Sequence, residues 1–332
     1  MTLWPPGAVT SIGSLPGVDP IEAAQLVFGE LPELPHIAEL PARGAGADMI
    51  GRTAALLTDL PVEIVVGTWR MTAHPGREVR RARDYLAWDV DAVEAAGSGY
   101  IGPLKLQAVG PWTLAASLEL ANGNVVLTDH GAVRDLASAL EDGLRAHLAD
   151  LAKRVPGATL VLQLDEPSLP AVLAGHIPTA SGYGTVRSVE PNRARQALHD
   201  VLSASAEGGR VVHCCAGEVP IELLRTAGAD ALSIDATLLA VEQYDVLGEA
   251  IDSGMSLWLG TLPTDGTDIT LDTARVPIRK LWTDLGFAPK QLASTVVPTP
   301  ACGLAAASPD YVRRVFAVLR DVGQSLLDDS EL

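Results

Sequence analysis

The sequence lacks the features that mark several classes of protein. It has only three cysteines among 332 residues, and two of them, Cys214 and Cys215, are adjacent. This is a poor basis for a disulfide framework, so we expect a chain of the reducing cytoplasm. No stretch approaches the roughly 18 consecutive apolar residues of a membrane span. The opening residues, MTLWPPGAVTSIGSLPG, also lack the basic and apolar regions of a secretory signal. We therefore expect no membrane partner.

Basic and aromatic residues are also scarce. There are 24 Lys and Arg residues against 41 Asp and Glu residues, which gives a formal net charge of −17. A surface of this charge repels phosphate backbones, so we expect no nucleic-acid partner. Aromatic residues make up 4% of the chain, whereas 48% of its residues are hydrophobic. The core must therefore consist of Ala, Val, Leu and Ile, as in a buried parallel sheet that is wrapped by helices.

What the sequence does contain is a regular alternation of short apolar runs with longer amphipathic stretches. The apolar runs predict eight strands, several of them continuous in the manner of strands buried on both faces. They are Ala8–Gly13, His36–Leu40, Leu104–Val109, Thr159–Leu164, Arg210–Cys214, Ala231–Ile234, Met255–Leu259 and Ser294–Val297. With helices between them, these strands predict an α/β fold, a (β/α)₈ or TIM barrel, in a single domain over residues 1–332.

Two further features bear on this fold. An open doubly wound sheet is the alternative, but the segment SIGSLPG does not match the G-x-G-x-x-G fingerprint that such a sheet carries after its first strand. Residues 60–103, between the second and third predicted strands, are too many for one helix and its loops. We expect an insertion there, a hairpin or lid over the mouth of the barrel.

Polar residues follow the predicted strands at their carboxyl ends, which a barrel gathers on one rim. His213 and Cys215 are two apart on one strand, so their side chains share a face. Imidazole and thiolate are ligands that zinc prefers, and a third ligand is available from Cys302, in PTPACGL after the last strand. Asp235 could add a carboxylate oxygen. The pattern predicts a Zn²⁺ site, and the alternative is a buried histidine beside small core cysteines.

Two acidic motifs fall on the same rim. LQLDEPSL places Asp165 and Glu166 directly after an apolar strand, and HIAELPARG places Glu39 at the end of another. Carboxylates in such positions can bind an ammonium group or act as acid and base. The alternatives are a solvated acid, a charge at the start of a helix and, for Glu39, an ion pair with Arg43. The SIGS segment, with Ser14, could hold a carboxylate, although a simple turn explains it almost as well.

Taken in order, seven motifs resemble the C-terminal catalytic barrel of cobalamin-independent methionine synthase. The superfamily of that enzyme includes uroporphyrinogen decarboxylase and zinc-dependent thiol methyltransferases. The motifs are TSIGSLP, HIAELPARGAGADM, AVGPWTL, LQLDEPSL, VVHCCAG, ALSIDA and PTPACGL. The resemblance implies that His213, Cys215 and Cys302 are zinc ligands. It also places Asp235 where the family has a Glu ligand that is one methylene longer.

The resemblance further implies a substrate site and a reaction. Glu39 and Asp165 match the acids that hold the amino group of homocysteine, and they are the candidate catalytic residues. Ile12 and Ser14 match the contacts to its carboxylate, and Trp112 lies near the position where the family stacks the pterin of its folate donor. The implied activity is that of a zinc-dependent homocysteine S-methyltransferase. Its partners would be a small-molecule thiol and a methyl donor, either 5-methyltetrahydrofolate or a corrinoid protein.

One departure from the family leaves the methyl donor open. The loop after the seventh predicted strand, GTLPTDGTD, has Thr264 and Asp265 but no His, whereas the family has a His there that is thought to assist proton transfer. An inactive barrel that serves as a binding or regulatory module is therefore an alternative. A porphyrin decarboxylase would need an arginine-rich mouth, and the acidic rim motifs argue against it.

Overall fold

The computed structural model describes residues 3–205 and 208–330. Its strands are β1 (Val62–Val65), β2 (Thr68–Met71), β3 (Gly102–Val109), β4 (Ala158–Asp165), β5 (Gly209–Cys214), β6 (Ala231–Asp235), β7 (Ser256–Leu262) and β8 (Val296–Pro300). Strands β3 to β8 form a curled parallel sheet in the order of the chain. Strands β1 and β2 form a separate antiparallel hairpin.

Helices connect the successive strands of the parallel sheet, as parallel pairing requires, and others precede β3 or follow β8. They are α1 (Pro20–Glu30), α2 (Met49–Leu56), α3 (Arg77–Ala96), α4 (Pro111–Ser117), α5 (His130–Arg154), α6 (Leu169–Ala174), α7 (Pro191–Leu202), α8 (Ile221–Thr226), α9 (Tyr244–Asp252), α10 (Leu271–Asp284), α11 (Leu292–Thr295) and α12 (Pro309–Ser330). The starts of α1, α2 and α5 follow from local chemistry. In each, the side chain of the preceding aspartate, Asp19, Asp48 or Asp129, accepts hydrogen bonds from backbone N–H groups of the first turn.

Six of the eight predicted strands are confirmed as β3 to β8, but the first two are not regular strands. Residues 8–13 and 36–40 are extended segments joined to their neighbours by isolated bridges, Ser14 with Glu39 and His36 with Lys105. Proline explains part of this irregularity, because Pro35 and Pro41 flank the second segment and have no N–H group for a ladder.

The two faces of the parallel sheet carry different side chains. One face packs against the helices and belongs to the main hydrophobic core. The other contributes to a second, smaller cluster, which consists of Trp4, Ala8, Leu34, Val161, Val211, Ala231, Trp258 and Val297. Within it Trp4 meets Trp258 edge to face, with ring centroids 5.1 Å apart. Gln163, Asp165 and His213 share the second face, because they follow Val161 and Val211 at intervals of two. The inside of the curl is therefore polar at the carboxyl ends and apolar below.

The segment over residues 60–103 contains the hairpin that the sequence predicts, β1 with β2, followed by the long helix α3. Its role as a lid stays a prediction. The arginines at the start of α3, Arg77, Arg80 and Arg81, are exposed, as expected of a solvated helix face. Among the described helices, none combines the length and the apolar character needed to cross a membrane.

Candidate metal and substrate site

A cavity of about 240 Å³ lies at the carboxyl ends of the parallel strands. Its lining consists of Ile12, Gly13, Ser14, Glu39, Met49, Asp165, Pro167, His213, Cys215, Cys302 and Gly303. The structure thus brings together most of the site residues predicted from the sequence. The two exceptions are Asp235 and Trp112.

The side chains of His213, Cys215 and Cys302 form one compact group of possible metal ligands. Their ligand atoms all lie within 4.8 Å of one another, and the two Sγ atoms are 3.4 Å apart. His213 Nδ1 is 3.0 Å from the Oγ of Ser233 on the neighbouring strand. His213 Nε2 is buried and has no hydrogen-bond partner. A hydrogen bond from Nδ1 to Ser233 leaves Nε2 with a free lone pair, the usual arrangement of a metal-binding histidine.

The two thiols differ in acidity. The hydrogen bond between the two sulfur atoms and burial raise the pKa of Cys215. The same hydrogen bond, together with His213, lowers the pKa of Cys302. One thiol of the pair therefore gives up its proton readily, as a metal ligand must. One imidazole and two sulfurs form a donor set that suits Zn²⁺.

The turn that carries Cys302 is packed against the SIGS segment. Leu304 N donates a hydrogen bond to Ser14 O at 2.9 Å. At Gly303, a Cβ atom would lie 2.0 Å from Ser14 Oγ, so a side chain there would displace the Ser14 hydroxyl. This close approach couples the position of a predicted metal ligand to that of a predicted substrate contact.

Two buried acids face the same cavity. Asp165 Oδ1 accepts a hydrogen bond from Gln163 Nε2 at 2.7 Å, and Glu39 Oε1 lies 3.6 Å from Arg52 Nε. Burial raises the pKa of Glu39 to about 7, although the charge of Arg52 acts in the opposite direction. Burial also raises the pKa of Asp165. Acids that are withdrawn from water in this way are suited to bind a cation.

The alternative of an ion pair between Glu39 and Arg43 is wrong. Arg43 instead binds the carboxylate of Asp89 with both terminal nitrogens, at 2.7 and 2.9 Å. The cation beside Glu39 is Arg52, whose position on α2 gave no signal in the sequence.

Sequence reasoning also missed Lys105, which is fully buried inside the curl. Its Nζ donates hydrogen bonds to Ile12 O at 2.6 Å and to Gln163 Oε1 at 2.8 Å. Gln163 Nε2 in turn donates to Ile12 O and to Asp165. Burial lowers the pKa of Lys105 to about 7. The sequence feature that could have revealed it is a lysine in the middle of the apolar run GPLKLQAV, because a buried charge is costly unless it has partners.

Trp112, which the resemblance places near the methyl donor, does not line this cavity. It is fully buried, and its Nε1 donates to Ala194 O on α7 at 3.0 Å. The reason is Glu166, whose carboxylate accepts hydrogen bonds from Trp112 N, Thr113 N and Thr113 Oγ1. Glu166 therefore caps the first turn of α4, which directs the indole ring towards the helices. Of the interpretations of Glu166, the one as a charge at a helix start is correct.

Asp235 is not part of the metal-ligand group. Its Oδ1 accepts hydrogen bonds from Thr237 N at 2.8 Å and from Thr237 Oγ1 at 2.7 Å, which caps the turn after β6. Asp265, in the loop after β7, is exposed and makes the same local contact with Thr267. Both carboxylates are therefore occupied by short-range hydrogen bonds.

Comparisons with known proteins agree with this geometry. The model of a protein family described as the cobalamin-independent synthase, catalytic domain, matches residues 8–325. A B12-independent methionine synthase from Shewanella sp. W3-18-1, solved in complex with selenomethionine, has a TM-score of 0.68 at 13% identity, over 98% of this chain and 99% of that chain. A methyltransferase from Methanosarcina mazei has a TM-score of 0.53 at 15% identity, over 96% and 93%. At these identities the two structures show a shared fold. No curated protein matches the chain.

Proposed function

Because the chain belongs to the family of cobalamin-independent synthase catalytic domains, we propose that it is a zinc-dependent methyltransferase that activates a homocysteine-like thiol. One observation carries the proposal. The buried Nε2 of His213 lacks a hydrogen-bond partner and belongs to one compact group with two cysteine sulfurs. Two buried acids line the same cavity.

The protein's own side chains suit the zinc ion that the family implies. His213, Cys215 and Cys302 would hold it, and the substrate thiol would complete four-fold coordination. When bound, the ion supplies a Lewis acid that lowers the pKa of a thiol. A proton on His213 Nδ1, donated to Ser233 Oγ, would leave Nε2 free for this role. Asp235 is a candidate for a further ligand only if its side chain leaves Thr237.

The remaining residues of the cavity suit the amino-acid part of the substrate. Glu39 and Asp165 would accept hydrogen bonds from its ammonium group, and the backbone of Ile12 with the hydroxyl of Ser14 would hold its carboxylate. Each buried acid has a cation nearby, Arg52 beside Glu39 and Lys105 near Asp165. The surroundings are therefore close to neutral, and a zwitterion fits them better than a thiol of net charge.

We infer that the methyl donor is a methylated folate, since the family is described as cobalamin-independent. That description does not favour the corrinoid protein that the sequence left open. Trp112 takes no part in donor binding in this proposal, because the helices enclose it.

We also propose that the two extended segments take the places of the first two barrel strands. Thr10 N donates to Pro298 O on β8. Glu39 N donates to Gly13 O, and Ile37 N donates to Lys105 O on β3. These hydrogen bonds link β8 to β3 through the two segments.

Metal analysis of purified protein tests the first part of the proposal. We expect about one zinc per chain, loss of zinc in His213→Ala and Cys215→Ser, and retention in Cys214→Ala. Cys214 is the matched control because it lies next to Cys215 but belongs to the main core. Zinc X-ray absorption should then show an additional sulfur ligand when L-homocysteine is added. A protein without zinc, or zinc coordination that does not change when the thiol is added, would refute the proposal.

A barrel that binds the thiol without transferring a methyl group is the second candidate. The loop after β7 favours it, because this loop has no His for proton transfer. Its Asp265 is exposed and accepts a hydrogen bond from Thr267. Incubation with L-homocysteine and 5-methyltetrahydrofolate separates the two functions. Formation of methionine supports the methyltransferase, and thiol binding without product supports the binding module.

A further inference from the structure

A buried cluster of charges lies behind Glu39, and the function proposed above uses only one of its members, Arg52. The cluster joins Arg43, Arg52 on α2 and Asp89 on α3. The side chains of Arg52 and Asp89 are 5% and 2% exposed. Asp89 binds both terminal nitrogens of Arg43 and one of Arg52. Two buried guanidinium groups thus share one carboxylate, which leaves one positive charge to be balanced.

Glu39 is the nearby acid that balances this charge, but it does so from a distance. Arg52 Nε is 3.6 Å from Glu39 Oε1, and this nitrogen has no hydrogen-bond partner. Asp89, in contrast, binds Arg52 directly. Arg52 is therefore close enough to attract the charge of Glu39, but it does not hydrogen-bond to its oxygens. Gln107 also hydrogen-bonds to Glu39, but Arg52 leaves the oxygens of this acid open to a ligand in the cavity.

Helix α3 also fixes the chain directly after Glu39. Tyr85 OH donates a hydrogen bond to Arg43 O at 3.1 Å, and the guanidinium of Arg43 lies 4.7 Å from the centroid of the Tyr85 ring. With the ion pair between Arg43 and Asp89, these contacts clamp the turn Pro41–Arg43 onto α3. The position of Glu39 thus depends on a helix that does not line the cavity.

We propose that Asp89 holds Arg52 as a counter-ion set back from Glu39, so that Glu39 keeps its charge and offers its oxygens to the ammonium group of the substrate. Arg52 and Asp89 are then positioning residues that select thiols with an amino group over thiols without one. The inference rests on the proposed function, in which Glu39 binds that ammonium. The charge of Arg52 opposes the effect of burial, which raises the pKa of Glu39.

Calorimetric titration of the zinc-loaded protein tests this inference with two thiols. One is L-homocysteine, and the other is 4-mercaptobutanoate, which lacks only the amino group. In Arg52→Met, Glu39 loses its counter-ion, and in Asp89→Asn, Arg52 is released to close onto Glu39. Either change should reduce the preference for L-homocysteine by about tenfold or more, the scale of one charge-assisted hydrogen bond. The affinity for 4-mercaptobutanoate should stay unchanged.

Two further variants serve as controls. Arg52→Lys keeps the charge and should retain most of the preference. Arg77→Met makes the same kind of change on an arginine of α3 that is 84% exposed, and it should behave like the wild type. If Asp89→Asn does not fold, the pair Arg52→Met and Arg52→Lys decides the outcome.

The possible failures are distinguishable. If the wild type prefers L-homocysteine and Arg52→Met keeps that preference, the inference is wrong and the proposed function stands. If Arg52→Met weakens both thiols equally, Arg52 has only a structural role and the inference is again wrong. If the wild type itself does not distinguish the two thiols, the ammonium site of the proposed function is refuted as well.

Discussion

Replacement of Lys105 by methionine would remove a charge that the fold buries completely. In the folded protein, burial lowers the pKa of Lys105 from 10.5 to about 7, while Asp165 and Glu39 act in the opposite direction. Between these two pH values the unfolded chain binds the lysine proton and the folded chain does not. The free energy of unfolding should therefore rise with pH across this window, by about 1.4 kcal/mol per pH unit. Below pH 7 both states are protonated, and this contribution is constant.

From pH 7 to pH 9 the wild type should gain about 2 kcal/mol of stability that Lys105→Met does not gain. Methionine has no proton to bind in either state, so the variant should have the flatter profile.

Urea unfolding at pH 7, 8 and 9, followed by tryptophan fluorescence, measures these profiles. Lys153→Met is the matched control, because Lys153 is exposed on α5, and its profile should parallel that of the wild type. Parallel profiles for Lys105→Met and the wild type would refute the argument. They would mean that Lys105 keeps the same proton affinity in the folded and unfolded states.

Three other substitutions have definite expectations. Glu166→Ala leaves the three donors in the first turn of α4 without an acceptor, and it should lower the free energy of unfolding by about 3 kcal/mol or more in urea titration. Gly303→Ala places a Cβ atom 2.0 Å from Ser14 Oγ, so either the Ser14 hydroxyl or the turn that carries Cys302 must move. Competition with a chelator should show weaker zinc binding, and unchanged affinity would mean that the hydroxyl alone moves and the turn stays in place. Trp112→Phe removes the indole hydrogen bond to α7 and should lower stability by about 1 kcal/mol. It should leave the calorimetric affinity for L-homocysteine unchanged, and a marked loss of affinity would show that Trp112 contributes to the substrate site.

The parts of the site that the sequence predicted depend on local geometry. His213 and Cys215 share a face because side chains alternate along a strand, and this holds whatever surrounds the strand. Asp165 and Glu39 were predicted from apolar runs that end in an acid. Cys302 was assigned because zinc needs a third ligand, and the structure places it beside Cys215.

The parts that the sequence missed or misplaced depend on tertiary structure. Lys105 reaches Gln163 only because β3 pairs with β4 in parallel, and no spacing within the chain reveals that register. Trp112 faces the helices because Glu166, which directly follows β4, caps its turn. Asp235 had a local signal, since Asp-x-Thr forms a capping turn that competes with any distant ligand.

The tryptophan pair at the base of the curl determines how small molecules enter and leave the cavity. Trp4 and Trp258, with the apolar side chains around them, fill the described interior below the polar layer. A solute that enters the cavity must therefore leave through the same opening, at the carboxyl ends of the strands. In the proposed reaction, the methylated product blocks this opening until it dissociates, and the next thiol acceptor cannot bind before then. Product and acceptor should accordingly behave as mutually exclusive occupants, and accumulated thioether should slow each later turnover.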